Sequence, residues 1–173
     1  KAGSCVTTDN NGHIFALKSR YNEFYRYDVA TDLWDTLAPM PFDMGGHRRK
    51  VKRGAALCYA GGDSIWAFKG GNTWQFFHYS MDRDTWIEKE AIGLGQSLKR
   101  VKGGGSLTWC PEQQRVYALK GNNTYETWYY VPPPDWAPDA PSQPPRSGIA
   151  SERTLPFSGL RVAPTIVRQG KVD

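Results

Sequence analysis

Ile14-Phe15-Ala16-Leu17-Lys18, Ile65-Trp66-Ala67-Phe68-Lys69 and Val116-Tyr117-Ala118-Leu119-Lys120 are three versions of one pattern, set at intervals of 51 residues. Eleven residues ahead of each stands a glycine: Gly3, Gly54 and Gly105. A turn follows each one (Ser19-Arg20, Gly70-Gly71, Gly121-Asn122), with Asn22, Asn72 and Asn123 close behind. Self-similarity at a fixed period of this size marks one supersecondary unit that buries its faces by stacking on copies of itself.

Reading outward from the second copy, the local code gives four strands. Ala55 to Tyr59 is small and apolar, bounded by Gly54 and the turn Gly61-Gly62-Asp63. Ile65 to Lys69 is stopped by the glycine pair, Phe76 to Tyr79 is a third strand, and Trp86-Ile87-Glu88 opens a fourth after Asp82-Arg83-Asp84. The rest of the composition agrees. With 18 Gly and 12 Pro among 173 residues and apolar residues in short bursts, the composition argues against a helical protein. Seven Trp, nine Tyr and seven Phe are too many for a chain that never packs. No apolar run reaches the roughly 18 residues that a spanning helix needs. The net charge of +5 is too small to demand an anionic partner.

The pattern also resembles a known family. A glycine pair after an apolar strand, an aromatic-x-Tyr-Asp sequence and a Trp seven residues after the Tyr are similar to the kelch repeat. The first unit carries it best, in Asn22-Glu23-Phe24-Tyr25-Arg26-Tyr27-Asp28, Thr31, Trp34 and Met40-Pro41. Tyr79 and Trp86 keep the spacing but Ser80 replaces the Asp, and Tyr129 and Trp136 keep it with Pro132-Pro133-Pro134 in the turn. The resemblance covers residues 1–137 and implies an all-β fold of three four-stranded β-propeller blades, divided as 1–51, 52–101 and 102–137. Propellers usually close with about four to eight blades, so three leave a ring that one chain does not close. A piece of a longer propeller, two chains in a six-bladed ring, and an open trio stacking on its copies are the three resolutions.

Residues 138–173 read as a proline-rich extended tail: seven prolines fall between 131 and 145 (Pro132, Pro133, Pro134, Pro138, Pro141, Pro144, Pro145), which bars a central strand there. The tail holds two β-prone bursts, Leu155-Pro156-Phe157 and Leu160-Arg161-Val162. It reads as a surface linker, or as an arm that adds a strand to an open edge of a neighbouring molecule. Residues 160–173 also resemble the start of the C-terminal sorting domain of type IX secretion substrates, which implies export. With no signal peptide visible and Lys1 at the start, the chain reads as processed or as a fragment.

Candidate sites follow from the repeat. The cations Arg48, Arg49, Lys50, Lys52 and Arg53 lead into the second unit, and Lys99, Arg100 and Lys102 into the third. The kelch resemblance puts such segments at the channel mouth, where they would suit an anionic ligand; a solvated loop is the plainer reading. Tyr21, Trp74 and Tyr125, in the turns after the second strands and beside Asn72, Asn122 and Asn123, are candidates for stacking on a sugar ring. Phe15, Trp66 and Tyr117, with Trp34, Trp86 and Trp136, recur at the repeat period and are expected in the core between blades. Basic residues away from exposed stacking aromatics argue against nucleic acid. His13, His47 and His78 occupy three different repeat positions and suggest no metal site. Asp28/Asp32 and Asp82/Asp84 are turn formers. Cys5, Cys58 and Cys110 read as buried thiols, with a Cys5–Cys58 bridge between adjacent inner strands as the alternative. No cofactor is implied.

The expectation is therefore a non-enzymatic, extracellular or surface-associated, kelch-like propeller protein. It would act by protein–protein contact, first with copies of itself in a ring, polymer or filament. A carbohydrate-binding propeller is the alternative, and a fragment of a larger propeller enzyme the third reading.

Overall fold

A computed structural model describes residues 2–42, 49–133 and 159–162, the last of these as backbone only. Every element in it is a strand. The first unit contributes β1 (Cys5–Thr8), β2 (His13–Leu17), β3 (Phe24–Asp28) and β4 (Leu33–Leu37). The second contributes β5 (Ala56–Tyr59), β6 (Ser64–Phe68), β7 (Phe76–Ser80) and β8 (Thr85–Lys89). β9 (Ser106–Cys110), β10 (Arg115–Leu119), β11 (Thr127–Val131) and β12 (Gly159–Val162) form the third. Each set makes one four-stranded antiparallel sheet in simple sequence order.

The register repeats as faithfully as the sequence. Ala16 faces Val6 and Tyr25, and Tyr25 faces Thr36; one unit on, Ala67 faces Leu57 and Phe77, and Phe77 faces Glu88; in the third, Ala118 faces Leu107 and Trp128. Because side chains alternate across a strand, each sheet has two faces. We call leading the face turned towards the preceding sheet and trailing the face turned towards the next.

Two apolar cores lie between the three sheets. The first joins the trailing side of sheet 1 (Phe15, Leu17, Phe24) to the leading side of sheet 2 (Leu57, Ile65, Ala67, Phe77, Tyr79, Trp86), with Met40 and Val51 at its ends. The second joins the trailing side of sheet 2 (Ala56, Cys58, Trp66, Phe68, Phe76) to the leading side of sheet 3 (Leu107, Val116, Ala118, Trp128, Tyr130), with Ile92 and Val101 closing it. Sheet 2 is covered on both faces, which is why all five residues of β6 and all five of β7 are buried.

The sheets come closest at their first strands, where β1 lies beside β5 and β5 beside β9. The recurrent glycine is explained there. A Cβ on Gly54 (φ 94°) would overlap the backbone carbonyl of Lys102, and one on Gly3 (φ 113°) the backbone of Lys52. Only glycine lets the incoming linker of the next unit pass so close.

Two expectations are corrected here, and one alternative is decided. The fourth strand of sheet 3 is not drawn from the region of Trp136: it is Gly159–Val162, paired with β11 through Trp128↔Val162 and Val131↔Gly159. The tail therefore adds a strand to the open edge of its own third sheet, a choice that closes the edge at no cost in association entropy. Trp136 itself lies outside the described residues. All three cysteines are free thiols, and the alternative of a Cys5–Cys58 bridge is not formed. Cys5 packs into the core between sheets 1 and 2, whereas Cys58 sits on the trailing side of sheet 2, in the other core. Equal parity on adjacent strands put the two thiols on the same side of their own sheets, and so on opposite sides of sheet 2. Burial pushes both thiols up to about 12, so they behave as small hydrophobic groups.

Candidate functional site

Among the described residues, three sheets stacked in series bury four of their six faces against one another, and no sheet covers the other two: the leading face of sheet 1 and the trailing face of sheet 3. The leading face of sheet 1 is built from Val6, Thr8, Ile14, Ala16, Tyr25, Tyr27, Trp34 and Thr36, as the strand pairings require. Position by position these match Leu57, Tyr59, Ile65, Ala67, Phe77, Tyr79, Trp86 and Glu88 of sheet 2. The five apolar or aromatic residues from Ile65 to Trp86 in that second set are buried in the first core. The same kinds of residue on sheet 1 meet solvent.

Trp34 and Trp86 make the contrast measurable. Trp86 is 8% exposed, packs edge-on to Phe24 of sheet 1 at 4.9 Å, and donates its indole N–H to the Ala38 carbonyl at 2.8 Å. Trp34 is 58% exposed and its ring contacts are with Tyr25 and Tyr27 of its own sheet, and among the described residues its indole has no acceptor. Trp34 was expected in the core. It is not there because the core at this position needs a preceding sheet. Tyr117 fails the same expectation at the other end: it lies half-buried on the trailing face of sheet 3, against Tyr129. Phe15 (3% exposed), Trp66 (0%) and Trp86 lie in the two cores.

The lysine that ends each repeat pattern was not singled out by sequence reasoning, and it is the most informative polar residue of the fold. Lys69 and Lys120 are completely buried. Lys69 Nζ donates to the Pro41 carbonyl at 2.6 Å, and Lys120 Nζ to the carbonyls of Gly93 (3.1 Å) and Leu94 (2.6 Å) and to Glu126 Oε2 (2.5 Å). In both cases the carbonyls belong to the segment that follows the fourth strand of the preceding unit. Charge-assisted bonds of this kind repay part of the desolvation of a buried ammonium. Lys18 occupies the same position in sheet 1, half-exposed, with Glu23 at 2.6 Å as its ion-pair partner. The signal that could have found these residues is a lysine kept at one place in an apolar strand through three copies.

Lys18, Ser4, Val6, Ala16, Tyr25 and Trp34 line an open groove of about 390 Å³ with almost wholly apolar walls. It runs along the leading face of sheet 1; on the leading face of sheet 2 Met40 is part of the packing that buries the equivalent residues.

The cationic candidates lie in the linkers between sheets. Lys52 and Lys102 donate their backbone N–H to the carbonyls of Lys69 (3.2 Å) and Lys120 (3.1 Å), which fixes both linkers across the ends of the second strands. Arg49, Lys50, Lys52, Arg53, Lys99 and Lys102 are exposed, and the Arg53 guanidinium rests against Gly103. Arg100 turns away to stack on Trp74, 4.0 Å above the ring. Arg48 and His47 lie outside the described residues. Of the stacking candidates, Tyr125 is 93% exposed, Trp74 is covered on one side by Arg100, and Tyr21 has the Lys18 ammonium 5.0 Å from its ring. Asn72, Asn122 and Asn123 have φ of 66°, 54° and 54°, so their recurrence answers the left-handed backbone of the turns; Asn122 spends its amide on the Arg100 carbonyl.

Carboxylates serve the turns. Asp28 accepts from the backbone of Ala30 and Thr31, and Asp84 from the Tyr79 hydroxyl and the Ala38 N–H. Ser64 and His78 form a buried pair at 2.8 Å inside sheet 2, and desolvation, aided by Lys89, lowers the imidazole to about 4. Among the described residues no group of three His, Cys, Asp or Glu side chains is placed to hold a metal, and no helix is long and apolar enough to cross a membrane.

The fold and these faces define a class: an all-β chain of four-stranded antiparallel sheets stacked in series. Compared with known proteins, no family model matches and no curated protein matches. Among solved structures the chain is similar to one described as the structure of YjhT, with a TM-score of 0.50 at 15% identity, over 68% of this chain and 33% of that one. The likeness is one of fold, and this chain spans about a third of that protein.

Proposed function

We propose that this chain is a kelch-like β-propeller segment whose function is non-enzymatic: it acts through protein–protein contact, first with copies of itself, outside the cell or at its surface. The observation that carries the reading is the leading face of sheet 1. It repeats the residue pattern that sheets 2 and 3 bury, yet Trp34 and Val6 are 58% and 66% exposed there. Contiguous exposed apolar surface of this kind marks an interaction site more often than chance exposure does. The trailing face of sheet 3, with Tyr117, Tyr129 and the 48%-exposed Leu119, offers the same chain a complementary surface. Faces that differ and meet head to tail give a ring where the rotation closes and a filament where it does not. Two chains in a six-bladed ring is the smallest closed form that fits three units per chain. The extracellular part of the reading rests on the resemblance of residues 160–173 to a secretion sorting domain.

Native particle size tests it. Light scattering and negative-stain electron microscopy on protein never exposed to denaturant should give closed rings or polymers. A stable monomer would refute self-assembly.

A further inference from the structure

In antiparallel sheets taken in chain order, alternate connections fall at opposite ends of the stack. One end carries the turns after the first and third strands, in or beside which stand Asp9, Asp28, Asp32, Asp63, Asp82 and Asp84. The other end carries the loops after the second strands and the two linkers between sheets. The exposed Arg49, Lys50, Lys52, Arg53, Lys99 and Lys102 all lie there. Among the described residues none of these cations has a carboxylate as an ion-pair partner. The carboxylates of that end are engaged elsewhere: Glu23 pairs with Lys18 and Glu126 with Lys120, Glu88 accepts from the Gln75 amide, and Glu90 bonds the Tyr130 hydroxyl. The stack therefore has an acidic end and a basic end.

The basic end also raises the two most exposed large apolar side chains among the described residues, Tyr125 at 93% and Leu98 at 73%. Both are held in place. Glu126, next to Tyr125, accepts from the backbone N–H of Ser97, next to Leu98, at 2.7 Å. Lys99 Nζ donates to the Asn123 carbonyl at 3.4 Å, and Asn122 Nδ2 to the Arg100 carbonyl at 3.1 Å. These bonds tie the second linker to the loop between β10 and β11, so the two tips project from adjoining loops. Leu98 has a φ of 54°, and among the described residues it is the one apolar side chain at a left-handed position; Asn, Asp, Arg and Gln hold the other non-glycine ones. Asn would fit this turn at less cost. A leucine held there in solvent answers a demand other than the fold, as strained residues at binding surfaces do.

We propose that the linker end of the stack docks on a lipid surface carrying anionic headgroups. Leu98 and Tyr125 enter the boundary between headgroups and acyl chains, and the linker cations lie against the phosphates. Surface binding of this kind takes two signals, apolar area to insert and positive charge near the headgroups, and this end supplies both. Tyrosine suits the depth at which headgroups meet hydrocarbon. Leu98 favours a bilayer over other polyanions. A glycan or a single-stranded nucleic acid is held by ring stacking and hydrogen bonds, to which an exposed leucine adds nothing, whereas a bilayer offers hydrocarbon for it to enter. The acidic turns, at the far end, point the molecule the right way round in the field of such a surface. The proposal does not depend on self-association, because the linker end is distinct from the leading and trailing faces.

The test is flotation of the full chain with vesicles of phosphatidylcholine alone, and with vesicles of phosphatidylcholine and phosphatidylglycerol in equal parts. The variants are Leu98→Asn, Tyr125→Ser and Lys102→Glu, with Val29→Asn as a control on an exposed apolar residue of the opposite end. The parent and V29N should float with the mixed vesicles only, and release them as salt is raised. L98N and Y125S should each weaken binding about tenfold, and K102E, which reverses one charge, by at least as much. L98N should melt no lower than the parent by circular dichroism, because Asn suits the left-handed turn, so its lost binding is not lost folding. No flotation of the parent, equal flotation with phosphatidylcholine alone, or binding unchanged in L98N and Y125S would overturn the proposal. Binding of the parent to polyuridylate or dextran sulfate with no binding to vesicles would overturn it too, and assign the basic end to a soluble polyanion.

Discussion

Replacing Trp86 and Trp34 by alanine, one at a time, separates position in the repeat from position in the fold. The two residues are register equivalents, Trp34 opposite Tyr27 and Trp86 opposite Tyr79. At 8% exposure Trp86 loses almost all its surface to Phe24, Phe77 and Tyr79. Taking about 200 Å² for a buried indole at ~25 cal/mol per Å² gives about 5 kcal/mol. The lost bond to the Ala38 carbonyl adds about 1 kcal/mol. Trp34, 58% exposed, has about two fifths of its surface covered, worth about 2 kcal/mol on the same scale, with no cavity left behind. Urea denaturation followed by circular dichroism, at concentrations low enough for monomer, should put W86A about 3–4 kcal/mol below W34A. Domains of this kind have about 5–15 kcal/mol in all, so W86A should be visibly unfolded at modest urea. Raising the protein concentration should stabilise the parent and W86A but not W34A. Equal losses in the two variants would refute the stacking order on which the argument is built.

Further outcomes follow from the same contacts. Lys120→Met strands Glu126 and the carbonyls of Gly93 and Leu94 in a buried site and should cost about 3–5 kcal/mol by denaturant titration; Lys18→Met removes only a solvent-exposed ion pair and should leave the urea midpoint of the monomer close to that of the parent. Gly54→Ala should cost more than about 2 kcal/mol, because strained backbone is joined by overlap with the Lys102 carbonyl. Gly12→Ala, with φ of 91° but open space around it, should cost only about 1 kcal/mol in thermal melts. His78 is held neutral in the fold, down to about 4 against 6.5 when free. Between those values the unfolded chain binds a proton that the folded chain does not, so stability falls as pH drops through that window, by about 3 kcal/mol. His78→Gln should flatten that part of the stability profile, and an unchanged slope would place the acid sensitivity elsewhere.

The repeat made most of the architecture legible before any coordinates. The strands of the second unit were readable to within about a residue, because Gly54, Gly61-Gly62 and Gly70-Gly71 punctuate it and turn residues bound each apolar burst. What the repeat could not say is which copies have neighbours. Trp34 and Tyr117 carry core sequence at the two ends of the stack, and whether core sequence is buried depends on a sheet that the residue itself does not encode. The fourth strand of sheet 3 was hidden for another reason. Tyr129 and Trp136 reproduce the seven-residue spacing of Tyr27–Trp34 and Tyr79–Trp86 by sequence alone, while the strand that pairs with β11 begins at Gly159. A long insertion between paired strands costs little in loop entropy, growing only with the logarithm of its length, so spacing is a poor guide there. Lys18, Lys69 and Lys120 were in plain view inside the motif. A charged residue at the end of an apolar strand reads as a solvated terminus until the carbonyls that meet it are known.

The central claim is that the leading face of sheet 1 is a joint for another copy of this chain. Sedimentation velocity of the native protein over a wide concentration range tests it most directly. The account predicts a dimer or larger species that dissociates on dilution and is lost in W34A. A single monomeric species at every concentration, unaffected by W34A, would contradict it.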